Sequence, residues 1–259
     1  MDSARKISLV TGIFFIVTII PAPIAAFVLY APILNDPDYV VGAGADARVL
    51  WGAFLEVIIA IACVGTAVTL FPLLKRVNEG FALGYVAARV VESTVIVVGV
   101  ISLLSVVTLR QGLAGAAGAE AASLVAVGTA LVAIHDWTFL LGPGLMPGVN
   151  GVLLGYLLYA SRLVPRPLAL LGLVVAGPLL FASGIAVLLG VIDAGSVWQG
   201  IASIPVAAFE VTLGIWLIVK GFDPSALASM SANPDDVVST GVDRPAAVPP
   251  NGSRVTSKG

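Results

Sequence analysis

The ionisable residues that interrupt long apolar stretches are the first candidates for chemistry in this sequence. Arg89 and Glu92 stand three residues apart, a spacing that places both side chains on one face of a helix. Glu56 and Glu210 are single acids in two other apolar stretches. Charges in hydrocarbon are costly, and they usually pair with each other or mark a ligand or proton pathway. We therefore expect Arg89 to be paired with acids, as a structural ion pair or as a polar binding site, and Glu210 to be a neutral structural carboxyl.

The only histidine, His135, heads a second group of candidates, since Asp136 follows it directly. Glycines and prolines over 142–148 then predict a helix break, which is either a tight turn or the lining of a ligand cavity. Asn150 stands at the predicted start of the next helix, where its side chain can cap the helix. Helical rise places Asp136 at a depth similar to that of Arg89. We therefore predict that His135, Asp136 and Arg89 belong to one polar cluster near the cytoplasmic side.

Several familiar site patterns are absent from the sequence. It has no G-x-x-x-x-G-K-[ST] or G-x-G-x-x-G run for phosphates, no H-E-x-x-H and no G-x-S-x-G. A single histidine and a single cysteine, Cys63, leave no multi-histidine or cysteine-based metal site within one chain. The sequence therefore predicts no catalytic residue, no metal site and no cofactor.

The composition places these residues in a membrane protein. Of the 259 residues, 59 % are hydrophobic and 11 % are charged, and the mean hydropathy is +1.06. Soluble domains carry about 25 % charged residues, so this chain has too few charges to cover a water-exposed surface. The net charge of −2 offers no basic surface to a nucleic acid. Composition thus excludes a water-soluble enzyme and a nucleic-acid partner, and it predicts the lipid bilayer as the surroundings.

Long apolar stretches predict the fold class, an all-α polytopic bundle of six to seven transmembrane segments. A membrane-spanning helix needs about 20 apolar residues, and the alternation typical of β-barrel strands is absent from the sequence. The stretches are Ile7–Tyr30, Val49–Leu74, Phe81–Leu109, Ala121–Leu141, Val149–Ala160, Pro167–Ile192 and Val197–Val219. The fifth stretch reaches only about 18 Å at 1.5 Å per residue, so we predict a short or broken segment whose full crossing stays open. The first stretch is too long for a cleaved signal, and we expect it to be retained.

Charged residues between the segments predict the orientation. The first loop is acidic, whereas four basic residues precede the first segment or follow the second, namely Arg5, Lys6, Lys75 and Arg76. The positive-inside rule then predicts a cell-membrane protein with a cytoplasmic N-terminus. Apolar periodicity ends near Asp223, and small and polar residues dominate beyond it. We therefore divide the chain into a helical transmembrane domain, 1–221, and a disordered C-terminal tail, 222–259.

Several motifs occur together in one order along the chain. They are GYVAARVVE at 84–92, HDWTFLLGPG at 135–144, Asn150, and Y-x-x-RLVPR at 159–166. Together they resemble a bacterial family of multi-pass membrane proteins catalogued as domain of unknown function 4386, and the resemblance covers 5–221. It implies an integral membrane protein without an assigned activity, substrate or cofactor. It also supports treating as one set the residues Arg89, Glu92, His135, Asp136 and Asn150.

These observations favour a non-enzymatic carrier, sensor or partner-binding protein with a polar cluster near the cytoplasmic side. The alternatives are an intramembrane enzyme, in which Asp136 or Glu92 orients His135 as general base, and a purely structural or assembly subunit. The candidate ligand or cluster residues are Arg89, Glu92, His135, Asp136, Asn150 and Glu56. A small molecule or a lipid is the expected kind of ligand, and the oligomeric state stays open.

Overall fold

The computed structural model describes residues 3–42, 44–112 and 117–231, and this part of the chain is helical without strands. Six helices are long and apolar enough to cross a membrane, which confirms the predicted all-α polytopic bundle. The helices are α1 (Ser3–Leu29), α2 (Asp46–Leu74), α3 (Glu79–Gly112), α4 (Ala119–Leu141), α5 (Met146–Ser161), α6 (Arg166–Leu188), α7 (Val197–Val219) and α8 (Pro224–Ser231).

Helices α4 and α5 together make one span, so the fifth apolar stretch is the second half of the fourth crossing. Both helices run antiparallel to α3, because successively later residues of α4 and α5 contact successively earlier residues of α3. The contacts are Leu131 with Ser102, Gly142 with Val95, Asn150 with Glu92, and Tyr156 with Phe81. The short link between α4 and α5 therefore interrupts the helix without reversing it, and the bundle has six spans among the described residues.

One end of the bundle gathers the start of α1, the end of α5 and the end of α7. Arg5 donates hydrogen bonds to the carbonyls of Leu217 and Ile218 at 3.0 and 2.5 Å. The amide of Asp223 donates to the carbonyl of Leu163 at 3.0 Å. These bonds fit six antiparallel spans, which bring both ends of the described chain to the same side.

Glycine allows the helices of two pairs to approach closely. A Cβ atom at Gly12 of α1 would lie 2.7 Å from the carbonyl oxygen of Gly214 in α7. A Cβ atom at Gly155 of α5 would lie 2.5 Å from the backbone nitrogen of Leu173 in α6. Small residues at helix contacts are the usual packing device in membranes, and here they fix how far α1, α5, α6 and α7 stand apart.

The region that we predicted to be a disordered tail begins with an ordered helix, α8. The Asp223 carboxylate accepts hydrogen bonds from the backbone amides of Ser225 and Ala226 at 2.9 and 3.1 Å, so it caps the helix. Hydrogen bonds from the Ser225 hydroxyl and from these amides hold the pKa of Asp223 below its usual range. Ala226 is buried in an apolar cluster to which α2, α5, α6 and α7 contribute. Composition alone did not reveal this contact. The rest of the predicted tail, 232–259, lies outside the described residues.

Candidate functional site

Arg89 is the centre of a buried polar cluster, which we call the central cluster. Its side chain is 2 % exposed and is held by two carboxylates. The Nη2 atom donates to Glu210 Oε1 at 2.6 Å, and the Nη1 atom donates to Glu92 Oε2 at 3.1 Å. The Nε atom donates to the Tyr85 hydroxyl at 3.3 Å. The predicted pairing of Arg89 with acids is therefore present, but Glu210 on α7 takes the place that we assigned to Asp136.

Neighbouring helices complete the central cluster. From α5, Asn150 donates its Nδ2–H to Glu92 Oε2 at 2.7 Å. From α2, the sulfur of Cys63 lies 3.8 Å from Arg89 Nη1. From α1, the ring of Phe15 lies 5.7 Å from the Arg89 guanidinium, within the range of a cation–π contact. Asn150 lies in the interior of α5, which begins at Met146, so it links helices instead of capping one.

The central cluster lies well inside the spans, and its predicted position near the cytoplasmic side stays a prediction. Cys63, which contacts Arg89, lies equally far along α2 from Trp51 and Lys75, about 18 Å from each at 1.5 Å per residue.

A second group of polar residues consists of Tyr30, Glu56 and His135, and we call the small space beside Glu56 and His135 the outer recess. The Tyr30 hydroxyl donates to Glu56 Oε2 at 2.9 Å. The Tyr30 ring meets the His135 ring edge to face, with centroids 5.5 Å apart. Glu56 and His135 both line this recess of about 10 Å³, together with the partly exposed residues Phe139 and Pro143. This space suits about one water molecule.

Backbone features of two helices make room for the outer recess. Pro21 and Pro23 lack amide hydrogens and interrupt α1, which ends in a π-helical turn, Ile24–Leu29. The turn directs the Tyr30 side chain inward, where it is fully buried. On α3, a Cβ atom at Gly99 would lie 2.5 Å from the Thr138 hydroxyl, so the glycine lets α4 bring His135 close.

Asp136 belongs to neither buried group, contrary to our prediction. Its side chain is 65 % exposed, and its one ion-pair partner among the described residues is His135, at 3.5 Å. Adjacent helix residues point in different directions, so when His135 faces inward Asp136 faces outward. His135 also lies away from Arg89, since its ring neighbours Gly99 while Arg89 lies almost three turns earlier on α3. The predicted single cluster is thus divided into two, with Asp136 outside both.

Beyond the outer recess, a polar network joins the first loop to the ends of α2 and α3. The Asp46 carboxylate accepts hydrogen bonds from Tyr39 at 2.8 Å and from Gln111 at 2.9 Å, and it forms an ion pair with Arg110. Burial and the adjacent Asp46 carboxylate raise the pKa of Tyr39. This network fixes the loop over the end of the bundle and is structural.

Sequence reasoning missed two residues that complete these groups. Glu210 carried a usable signal, because a lone acid in an apolar helix needs a cation and Arg89 is the only permanent cation predicted inside a span. Tyr30 is uncharged, so nothing in the sequence marked it as a partner of Glu56. Only the prolines before it indicated an irregular helix. Within the described ranges, no three His, Cys, Asp or Glu side chains are placed to hold a metal ion.

Comparison with known proteins gives a family but no activity. A family model described as "Domain of unknown function (DUF4386)" matches residues 10–221, which confirms the resemblance seen in the motifs. No curated protein and no solved structure matches the chain.

Proposed function

The chain belongs to the DUF4386 family, and we propose that it is a non-enzymatic membrane protein of the carrier or sensor class that binds a small ligand at the outer recess. The observation that supports this proposal is the meeting of a carboxylate and an imidazole at one small recess, where the buried Tyr30 phenol donates a hydrogen bond to the carboxylate. Such convergent polar groups in a mostly apolar wall are typical of small-ligand sites. The central cluster is buried within the bundle, and its Arg89–Glu210 ion pair joins α3 to α7.

The lining of the outer recess indicates the chemistry of the ligand. Glu56 offers a hydrogen-bond acceptor of negative charge, while Ile96 and Phe139 provide apolar walls. A primary ammonium group on a short apolar chain suits this combination, whether it belongs to a free amine or to a lipid headgroup. Because the recess has room for only about one water, binding of the ammonium group requires the Phe139 side chain to move outward.

The recess lies at a level that a ligand can reach from the membrane surface. The Tyr30 ring packs against Gly52, next to the exposed Trp51, and His135 is close to the exposed Trp137. Tryptophan is enriched at the membrane–water interface. An ammonium group at headgroup level therefore has only a short distance to travel to Glu56.

The six-span topology supports a cytoplasmic N-terminus, with the recess on the opposite side. Most of the basic residues outside the spans lie on the side of the bundle that holds the N-terminus. They are Arg5, Lys6, Lys75, Arg76, Arg162, Arg166 and Lys220. Folding α4 and α5 into one span returns Arg162 and Arg166 to this side, in agreement with the positive-inside rule.

Catalysis by His135 is less well supported than binding. A general base needs a nucleophile or a substrate group within hydrogen-bond reach. The nearest candidate nucleophile, the Thr138 hydroxyl, already donates to the backbone carbonyl of His135 at 2.8 Å.

Thermal unfolding of the purified full chain in detergent tests the proposal. Ethylamine is the probe, and acetate is a control of similar size and opposite charge. We expect ethylamine to raise the melting temperature in a saturable way, because a ligand at 100 times its Kd stabilises by about 2.7 kcal/mol. Phosphatidylethanolamine in mixed micelles tests the lipid form of the same headgroup chemistry.

Two variants make the test specific. Glu56→Gln keeps the shape of the recess and removes its charge, so ethylamine should no longer stabilise the protein. Asp136→Asn removes an equal charge beside His135 but outside the recess, so the response should persist. An ethylamine response that is absent in the wild type, or unchanged in Glu56→Gln, would show that the recess is not the binding site.

A further inference from the structure

The central cluster contains one more negative charge than positive charge. Arg89 contributes one positive charge, and Glu92 and Glu210 contribute two negative charges if both are ionised. The other neighbours are uncharged groups, namely Phe15 from α1, Cys63 from α2, Tyr85 from α3 and Asn150 from α5. Among the described residues no second cation meets these carboxylates. An uncompensated charge at the centre of a membrane is strongly unfavourable.

A second observation, independent of the charge count, points to the same place. Asn150 is 1 % exposed, and its Oδ1 atom has no hydrogen-bond partner among the residues that the structure describes. The Nδ2 atom of the same amide donates to Glu92, so the unpartnered oxygen belongs to an amide in direct contact with the cluster. A buried acceptor without a donor is destabilising, and a hydrogen-bond donor or a cation beside Asn150 Oδ1 would relieve this cost.

We propose that Glu92, Glu210 and Asn150 bind one exchangeable monovalent cation, either a proton or Na⁺. One positive charge balances the cluster, and the Asn150 oxygen supplies the remaining ligand or hydrogen-bond acceptor. In the proton form, a proton from water forms an O–H bond with a carboxylate oxygen, and Asn150 Oδ1 accepts the hydrogen bond. In the Na⁺ form, the oxygens of the three side chains coordinate the ion, and no covalent bond changes. This site uses other residues than the outer recess does, so each proposal can fail alone.

The stability of the purified full chain in detergent distinguishes the two cations. One series varies NaCl at fixed pH, with choline chloride keeping the ionic strength constant. The other series varies pH without Na⁺. A Na⁺ site predicts stabilisation that saturates with NaCl, whereas a proton site predicts no specific Na⁺ effect and a pH dependence that originates in the cluster.

Matched variants assign the response to the cluster. Glu210→Gln leaves Arg89 and Glu92 as a neutral pair, so the Na⁺ response or the cluster's share of the pH response should disappear. Asn150→Leu retains both acids and removes the oxygen, and it should weaken the apparent cation affinity about tenfold. Glu56→Gln removes an acid of the outer recess and should leave the cluster's response intact. Its pH curve also separates the contribution of Glu56 from that of the cluster.

Infrared spectroscopy supplies a readout that does not depend on unfolding. A proton site predicts a carbonyl-stretch band from a buried protonated carboxyl that is present in the wild type and absent in Glu210→Gln. A Na⁺ site predicts a carboxylate band that changes on addition of Na⁺. If wild type and Glu210→Gln share the same Na⁺ response, the same pH response and the same infrared bands, the proposal is wrong.

Discussion

Removing both acids around Arg89 should destabilise the protein by more than the sum of the two single changes. Glu210→Gln alone leaves Arg89 paired with Glu92 at 3.1 Å, and Glu92→Gln alone leaves it paired with Glu210 at 2.6 Å. The double variant leaves a positive charge in the middle of the bundle with only neutral acceptors. The first acid removed therefore matters less than the second.

The magnitude follows from the burial of the ion pairs. Each single variant replaces a charged acceptor with a neutral one of the same shape, and we expect a cost of about 1–2 kcal/mol. Breaking a buried pair so that one charge is left alone costs about 3–5 kcal/mol. The double variant should lose at least that amount, with a coupling of about 1 kcal/mol or more beyond additivity. Adding Arg89→Met to the double variant should recover most of the loss, because it removes the stranded charge.

Unfolding by SDS titration in mixed micelles measures these free energies, with tryptophan fluorescence and circular dichroism as the signals. Asp136→Asn is the matched control, since it removes an exposed acid and should change the free energy of unfolding by less than about 0.5 kcal/mol. The reasoning is refuted if the double variant is as stable as the wild type, or if adding Arg89→Met destabilises it further.

Three further outcomes are expected. In a variant without Cys63, a single cysteine is placed at Asp36 or at Asn78, and intact cells are treated with a membrane-impermeant maleimide. The cysteine at Asp36 should be labelled and the one at Asn78 should not, and the reverse pattern would show the opposite orientation. Gly155→Ala should destabilise the α5–α6 contact by about 1–3 kcal/mol, because its Cβ would lie 2.5 Å from the nitrogen of Leu173; Gly200→Ala, where nothing lies within 4 Å, should not, and equal effects would contradict the packing argument. A chain ending before α8 should melt at a lower temperature than one ending after it, and identical melting would show that the helix contributes nothing to the bundle.

The sequence determined what depends on composition and on neighbours along the chain. Apolar stretches with few charges require a membrane, and in lipid the backbone must satisfy its own hydrogen bonds, so helices follow. The Arg89–Glu92 pair was predictable for the same local reason, because helix geometry alone brings residues three apart together. The helix break after Leu141 was also readable from glycine and proline.

Only the tertiary structure decided which helix faces which, because relative rotation and register depend on packing between distant segments. Close contacts at glycines set that packing, and they bring Glu210 to Arg89 while turning Asp136 away from the bundle. The direction of the chain after the break was likewise undetermined, since a glycine–proline link can reverse a helix or merely interrupt it. The contacts of α3 with both α4 and α5 settle it as an interruption, and this packing separates His135 from Arg89 and places it beside Tyr30 and Glu56.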